Sequence, residues 1–265
     1  MYAVNYAKPA SVADAVAALS AAEDGKFLAG GMTLIPTLKQ RLAAPSDLVD
    51  LGAIGELKGI ALDGDALVIG AMTTHAEVAR SPLVASTIPA LAKVAGGIGD
   101  PQVRNVGTLG GSIANNDPAA DYPGAVLGLG AEVRTNTRTI AADDFFAGMF
   151  ETALEEGELI VSVRFPKPLA AAYAKFSNPA SRYSMAGVFV AKTASGIRLA
   201  VTGAGAGGVH RMETMEKALE ADFSPAALDP ITVNPNGLNS DLHGSAAYRA
   251  NLVKVMAKRA VAACA

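Results

Sequence analysis

Residues 96–124 read GGIGDPQVRNVGTLGGSIANNDPAADYPG, a stretch dense in glycine, short polar side chains and Asp-Pro turns, set between two apolar runs. Within it the pair Gly110-Gly111 follows Thr108-Leu109 and precedes Ser112, so backbone N–H groups can approach an anion with no Cβ in the way. A second pair, Gly30-Gly31, ends the run Lys26-Phe27-Leu28-Ala29 and leads into Met32-Thr33-Leu34, where a helix is expected to begin. Two glycine-edged loops, each presenting N–H donors, suit a ligand that carries two linked phosphates.

The 265-residue chain is long enough for one large domain or two to three smaller ones with a substantial core. A net charge of −3 and the lack of any long Lys/Arg run weigh against nucleic acid as the main partner, because neutralising phosphates needs clustered cations. Cys264 is the only cysteine, so the polypeptide has no internal disulfide and no Cys-ligated zinc or iron–sulfur site of its own. The opening residues MYAVNYAKPASVADAV lack a basic segment followed by an apolar core, and no apolar run approaches the roughly 20 residues that span a bilayer. A soluble, cytoplasmic protein is expected.

Strand and helix signals interleave without strict βαβ regularity, which predicts an α+β fold rather than a doubly wound sheet. Ser11 and Asp14 resemble a capping box before an alanine-rich helix, and Leu48-Val49-Asp50-Leu51 reads as a short strand. Ile60-Ala61-Leu62 and Leu67-Val68-Ile69-Gly70 flank Asp63-Gly64-Asp65 as a hairpin. Thr73-Thr74 caps a helix to Ala79, Pro89 opens one to Gly96, and Leu159 to Phe165 is a strand stopped by Pro166. Pro166 to Ala172 reads as a linker. Beyond it lie strands Met185 to Lys192 and Ile197 to Thr202, a helix from about Arg211 to Glu220, and a last helix Ala246 to Ala263, which together predict a second, smaller domain.

Gly203-Ala204-Gly205-Ala206-Gly207-Gly208 satisfies the dinucleotide pattern G-x-G-x-x-G. The helix after it runs into Asp222-Phe223-Ser224-Pro225 instead of a second parallel strand, so a plain corner is favoured over a Rossmann site. His75, His210 and His243 have no metal-ligand spacing, and packing or capping is the favoured role for His75. No G-x-S-x-G elbow is present. Asp117 and Asp121 come close in space if the chain turns helical after Pro118. A helix cap with a solvated acid and an acceptor for ligand hydroxyls are equally good readings of that pair.

Ala29-Gly30-Gly31-Met32-Thr33-Leu34-Ile35-Pro36 resembles the first FAD loop of the medium, flavin-binding subunit of molybdenum hydroxylases, the family of carbon monoxide dehydrogenase, xanthine dehydrogenase and aldehyde oxidoreductase. Gly99-Asp100-Pro101-Gln102-Val103-Arg104-Asn105-Val106-Gly107-Thr108-Leu109-Gly110-Gly111 resembles the second loop, and Asp117-Pro118-Ala119-Ala120-Asp121 continues it in register. Phe145-Phe146, Glu158-Leu159-Ile160 with Pro166, and Leu242-His243-Gly244-Ser245-Ala246-Ala247-Tyr248-Arg249 resemble later landmarks, so nearly the whole chain is covered. Met32 stands where relatives often carry histidine and Val106 where they often carry arginine; neither change removes a backbone donor.

The resemblance implies a para-cresol methylhydroxylase-type fold: FAD-binding subdomains over 1–58 and 59–166, then a C-terminal domain of antiparallel sheet and helices over 173–265. It implies that Phe27, Leu28, Ala29, Gly30, Gly31, Met32, Thr33 and Leu34, with Thr108, Leu109, Gly110, Gly111 and Ser112, wrap the diphosphate and ribityl region of a non-covalently held FAD. Ile98 falls on the adenine side, Asp121 accepts from FAD hydroxyls, and Ile160 and Lys175 lie by the isoalloxazine ring. The implied function is electron transfer within a heterotrimer or a dimer of heterotrimers. The molybdenum cofactor would sit on a large subunit and the [2Fe-2S] clusters on a small one. A stand-alone FAD-dependent oxidase of the same fold is the alternative.

Overall fold

The computed structural model describes residues 1–264. Its first sheet is parallel, with Asp47–Asp50 between Asn5–Ala7 and Gly25–Leu28. The Val12–Ser20 helix, capped by the Ser11 side chain on the amide of Asp14, packs against this sheet. The second sheet is antiparallel in the order Ile60–Asp63, Ala66–Gly70, Ile160–Phe165, Glu132–Thr135, Thr139–Ala141. The expected hairpin opens it: Asp63 pairs with Ala66 across Gly64-Asp65, and Gly64 takes the left-handed φ of +63° that such a turn requires. The expected helices appear at His75–Arg80, with a full Thr74/Glu77 capping box, and at Pro89–Gly96.

The third sheet is antiparallel and runs Ala170–Ser177, Ser184–Thr193, Gly196–Thr202, His210–Arg211. Its second strand is buried from Ser184 to Ala191 because both faces are covered, which explains why the sequence there is continuously apolar rather than alternating. Phe189, Ala191 and Ala200 face one core, while Val188, Val190, Leu199 and Val201 face the other, where the Ala246–Ala263 helix packs. Among the described residues no helix is long and apolar enough to cross a membrane.

Two local expectations shift, and one apolar run resolves into two elements. The third sheet begins at Ala170, so the connector after Pro166 is shorter than the expected linker; the amide of Leu169 already donates to the Lys192 carbonyl. His210–Arg211 pairs as a strand, so the next helix starts at Glu213 instead of Arg211. The apolar stretch from Gly124 to Val133 divides into the helix Tyr122–Leu129 and the strand Glu132–Thr135, and Gly130 at φ +61° makes the break.

The Tyr122–Leu129 helix is buried along its whole length. It shares one core with Ile69, Val163 and Phe165 of the second sheet and with Phe189 of the third. Gly128 makes that contact possible, since a Cβ there would lie 2.7 Å from Cδ1 of Phe189. Gly128→Val should therefore destabilise the fold by about 1–3 kcal/mol, the usual cost of overpacking a core. Denaturant unfolding of the purified variant checks this, and an unchanged midpoint would show that this helix and the third sheet are not packed as described.

Candidate functional site

The Gly25–Leu28 strand and the Pro101–Val106 and Leu109–Asn115 helices deliver both glycine loops to the same cavity, of ≈ 520 Å³, within the range of about 300–1,000 Å³ common for small-molecule sites. Of the residues singled out by sequence, Phe27, Ala29, Gly30, Gly31, Met32, Thr33, Leu34, Ile98, Thr108, Gly110, Gly111, Ser112, Asp121 and Ile160 line it. Leu28, Leu109 and Lys175 do not. Leu109 points into the core, and Lys175 stands behind Asp121.

The two loops differ in a way their sequences conceal. Among the described residues, the amides of Gly30, Gly31, Met32 and Thr33 donate to no protein acceptor, so this loop offers a run of free N–H groups. The second loop spends four consecutive amides on protein acceptors. Leu109 N–H donates to the Thr73 carbonyl at 3.1 Å, Gly110 N–H to Ala71 at 2.8 Å, Gly111 N–H to Thr108 Oγ1 at 3.1 Å and Ser112 N–H to the Thr108 carbonyl at 3.0 Å. What it offers a ligand is chiefly hydroxyl groups, from Thr108 and Ser112, beside the single free amide of Thr108. The expectation that both loops present backbone donors is corrected accordingly.

The reason for the glycines changes too. A Cβ on Gly30 would lie 2.3 Å from the Val106 carbonyl oxygen, and one on Gly110 would lie 2.6 Å from Cβ of Ala71. Gly31 has φ +68°. These glycines let protein backbones pack together, and the cavity is shaped by that contact.

Asp117 and Asp121 both line the cavity, but Pro118–Ala120 forms a turn instead of the helix that would pair them. Asp117 closes the turn by accepting from the amide of Ala119 at 2.8 Å. Asp121 is 5 % exposed. Its Oδ2 accepts from Lys175 Nζ at 2.9 Å and its Oδ1 from the Tyr173 hydroxyl. Burial pushes this carboxyl above the usual range, against the pull of Lys175 and Tyr173.

Sequence reasoning missed Tyr183, Arg182, Leu154, Glu158 and His75 as cavity residues. Arg182 and Tyr183 come from the turn between two strands of the third sheet, and no local motif marks that turn as part of a site. His75 is buried, as its packing role predicts, and burial with the Arg104 guanidinium holds its imidazole down at about 4. Glu158 anchors the apolar wall of Leu154 and Ile160. Arg138 grips it with Nε and Nη2 at 3.0 Å each, and Thr135, Thr137 and the Glu155 amide also donate to it.

The chain matches the family model described as FAD binding domain in molybdopterin dehydrogenase over residues 2–168. It is 38 % identical to the nicotine 6-hydroxylase medium subunit of Paenarthrobacter nicotinovorans, over 98 % of this chain and 96 % of that one. To the carbon monoxide dehydrogenase medium chain of Afipia carboxidovorans it is 37 % identical, over 97 % and 95 %. The solved structure of reconstituted CO dehydrogenase from Oligotropha carboxidovorans is similar with a TM-score of 0.93 at 36 % identity, over 99 % of this chain and 98 % of that one. Quinoline 2-oxidoreductase from Pseudomonas putida 86 is similar with a TM-score of 0.90 at 30 % identity, over 99 % and 97 %. The α+β architecture is that of these structures.

The Glu158 anchor makes the cavity wall sensitive to acid. Arg138, with the hydroxyl and amide donors, pulls this carboxyl from 4.5 to about 2 against its partial burial. A lowered folded-state value stabilises the fold above the unfolded value and loses that contribution as pH falls through the folded one. The stability advantage of the native chain over Glu158→Gln should thus be full above about pH 4.5 and disappear toward about pH 2. Denaturant titrations across that window measure it, and a constant difference would show that the Arg138 contact does not hold the charge.

Proposed function

Starting from a chain that belongs to the family of FAD-binding domains in molybdopterin dehydrogenases, we propose that its cavity holds FAD without a covalent bond and passes electrons from iron–sulfur clusters on a partner to a terminal acceptor. The observation that carries this reading is the division of chemistry along one cavity. Its lining combines the free amides of Gly30 to Thr33, the hydroxyls of Thr108 and Ser112 with the Asp121 carboxylate, and the apolar side chains of Ile98, Leu154 and Ile160.

Each part meets a different portion of the cofactor. The N–H groups of Gly30 to Thr33 are donors for the diphosphate, and the residues from Phe27 to Leu34 form the strand-to-helix turn that aims them. Thr108 and Ser112 supply hydroxyl donors beside them. Asp121 accepts from ribityl or ribose hydroxyls, and Ile98, Leu154 and Ile160 provide apolar surface for the rings. Bound FAD supplies the capacity to take up and give out electrons singly or in pairs, while the chain supplies its position and surroundings. Neither glycine loop contains the His or Cys that a covalent tether requires.

Relatives named as medium chains or medium subunits support assembly with a large molybdenum-cofactor subunit and a small iron–sulfur subunit. Cys264 alone cannot provide the thiolates of an iron–sulfur cluster, so clusters in the electron path must come from a partner. A free thiol also suits the reducing cytoplasm, where we place the complex.

The purified chain should bind about one FAD per polypeptide, release it into the supernatant on acid precipitation, and accept electrons from an artificial reductant. It should not oxidise carbon monoxide, purines or aldehydes until large and small subunits are added. Flavin absorbance and substrate assays on the same preparation check this. Flavin retained in the denatured pellet would overturn the non-covalent assignment, and substrate turnover by a metal-free chain would favour a stand-alone oxidase.

A further inference from the structure

Tyr173 lies on the third sheet, outside the cavity, and is 4 % exposed. Its hydroxyl donates to Oδ1 of Asp121. The strand opposite makes room for that hydroxyl with Gly187, where a Cβ would lie 2.4 Å from Tyr173 Oη and 2.7 Å from Ser184 Oγ. A glycine inside a strand buried on both faces weakens the strand, so its presence marks a close approach that the structure requires. Packing of the ring against Phe189 needs no hydroxyl.

The carboxylate depends on this bond because its other donor is shared. Lys175 Nζ donates to Asp121 Oδ2 at 2.9 Å, to the Gly97 carbonyl at 2.9 Å and to the Arg182 carbonyl at 3.2 Å, which uses all three of its protons. The ammonium therefore satisfies one carboxylate oxygen, and Tyr173 satisfies the other. The remaining titratable groups around Asp121 are the phenols of Tyr122 and Tyr183, which burial keeps protonated, with Asp117 on the same turn, Arg182 at the cavity and His75 behind Tyr122.

We propose that Tyr173 is a positioning residue: its hydroxyl holds Asp121 charged at the cavity wall, and this one bond sets how far into acid the chain retains FAD. The proposal rests on the reading that the cavity binds FAD through Asp121. Without the phenol, Oδ1 has no protein donor and the carboxyl keeps its proton to higher pH. A protonated carboxyl has lost acceptor capacity for cofactor hydroxyls, so FAD affinity falls.

The test is the dissociation constant of FAD for the full chain, titrated from about pH 8 down to about pH 5, with Tyr173→Phe beside the native protein. A hydrogen bond to a charged group corresponds to about 1–2 pH units, and the acid-side midpoint should move up by that amount. Well above both midpoints affinity should stay within about threefold, whereas below the native midpoint the variant should bind at least about tenfold more weakly. Asp121→Asn should abolish the acid-side titration, and Tyr173→Phe added to it should restore no pH dependence. Gly187→Ala keeps the phenol but crowds it, and should shift the midpoint in the same direction as Tyr173→Phe, which keeps the question answerable if the phenylalanine variant does not fold. Equal weakening at every pH would mean a purely structural role and overturn the proposal, as would an unmoved midpoint. A native chain that binds no FAD at any pH would instead overturn the reading of the cavity and the proposal with it.

Discussion

Burying the entry to the Tyr122–Leu129 helix leaves the backbone carbonyls and the carboxylate just before it without water, and each must find a donor. The third sheet provides them. Thr202 Oγ1 donates to the carbonyl of Ala120 at 2.6 Å, the Gly203 amide donates to that of Pro118 at 2.8 Å, and Tyr173 and Lys175 donate to Asp121. The same turn lines the cavity through Asp117, Ala120 and Asp121. One five-residue segment therefore joins the C-terminal sheet to the site, and the sheet acts as a template for the polar wall as well as a lid over the core.

The glycines follow a similar logic. A glycine-rich loop is usually read as a place where a ligand approaches the backbone, yet Gly30, Gly110 and Gly203 are each pressed against another stretch of protein. The Gly203 Cβ position lies 2.2 Å from the Ser184 carbonyl oxygen. Close approach between loops brings the free amides of Gly30 to Thr33 and the hydroxyls of Thr108 and Ser112 into the lining of one cavity. Any ligand contact through these loops is a consequence of how tightly they pack together, so substitutions there act on the fold and on binding at once.

Much of this was legible in the sequence because it was written locally. Caps at Ser11 and Thr74, the Gly64 turn and the amphipathic pattern of the last helix involve residues a few positions apart. The resemblance at Gly30-Gly31 and Gly110-Gly111 located two walls of the cavity. The free and occupied amides were not legible, because the partners of Leu109 and Gly110 are the carbonyls of Thr73 and Ala71, some forty residues away in the chain. Nor were Arg182 and Tyr183, which reach the cavity only because the third sheet docks on the Asp117–Asp121 turn. The run Gly203 to Gly208 shows the converse. It lies between Gly196–Thr202 and His210–Arg211, which pair antiparallel, so the parallel crossover that a Rossmann site needs is absent from this part of the chain.

The cavity draws chiefly on residues 26–34, 98–121, 154–160 and 181–183, with Leu51, Ala71, Met72 and His75, stretches that belong to three of the four sheets or to the connections between them. No single unit of the fold contains it. A ligand that binds only the assembled form stabilises it by mass action, in proportion to the logarithm of its concentration over its dissociation constant. For such a ligand, docking of the C-terminal sheet and filling of the cavity form one coupled equilibrium. Tyr173, Thr202 and Gly203 sit on the coupling path because they hold the turn that both events share. The same coupling means that whatever steadies the third sheet from outside also steadies the cavity, which gives an assembled complex a physical means of keeping its cofactor that needs no direct contact with it.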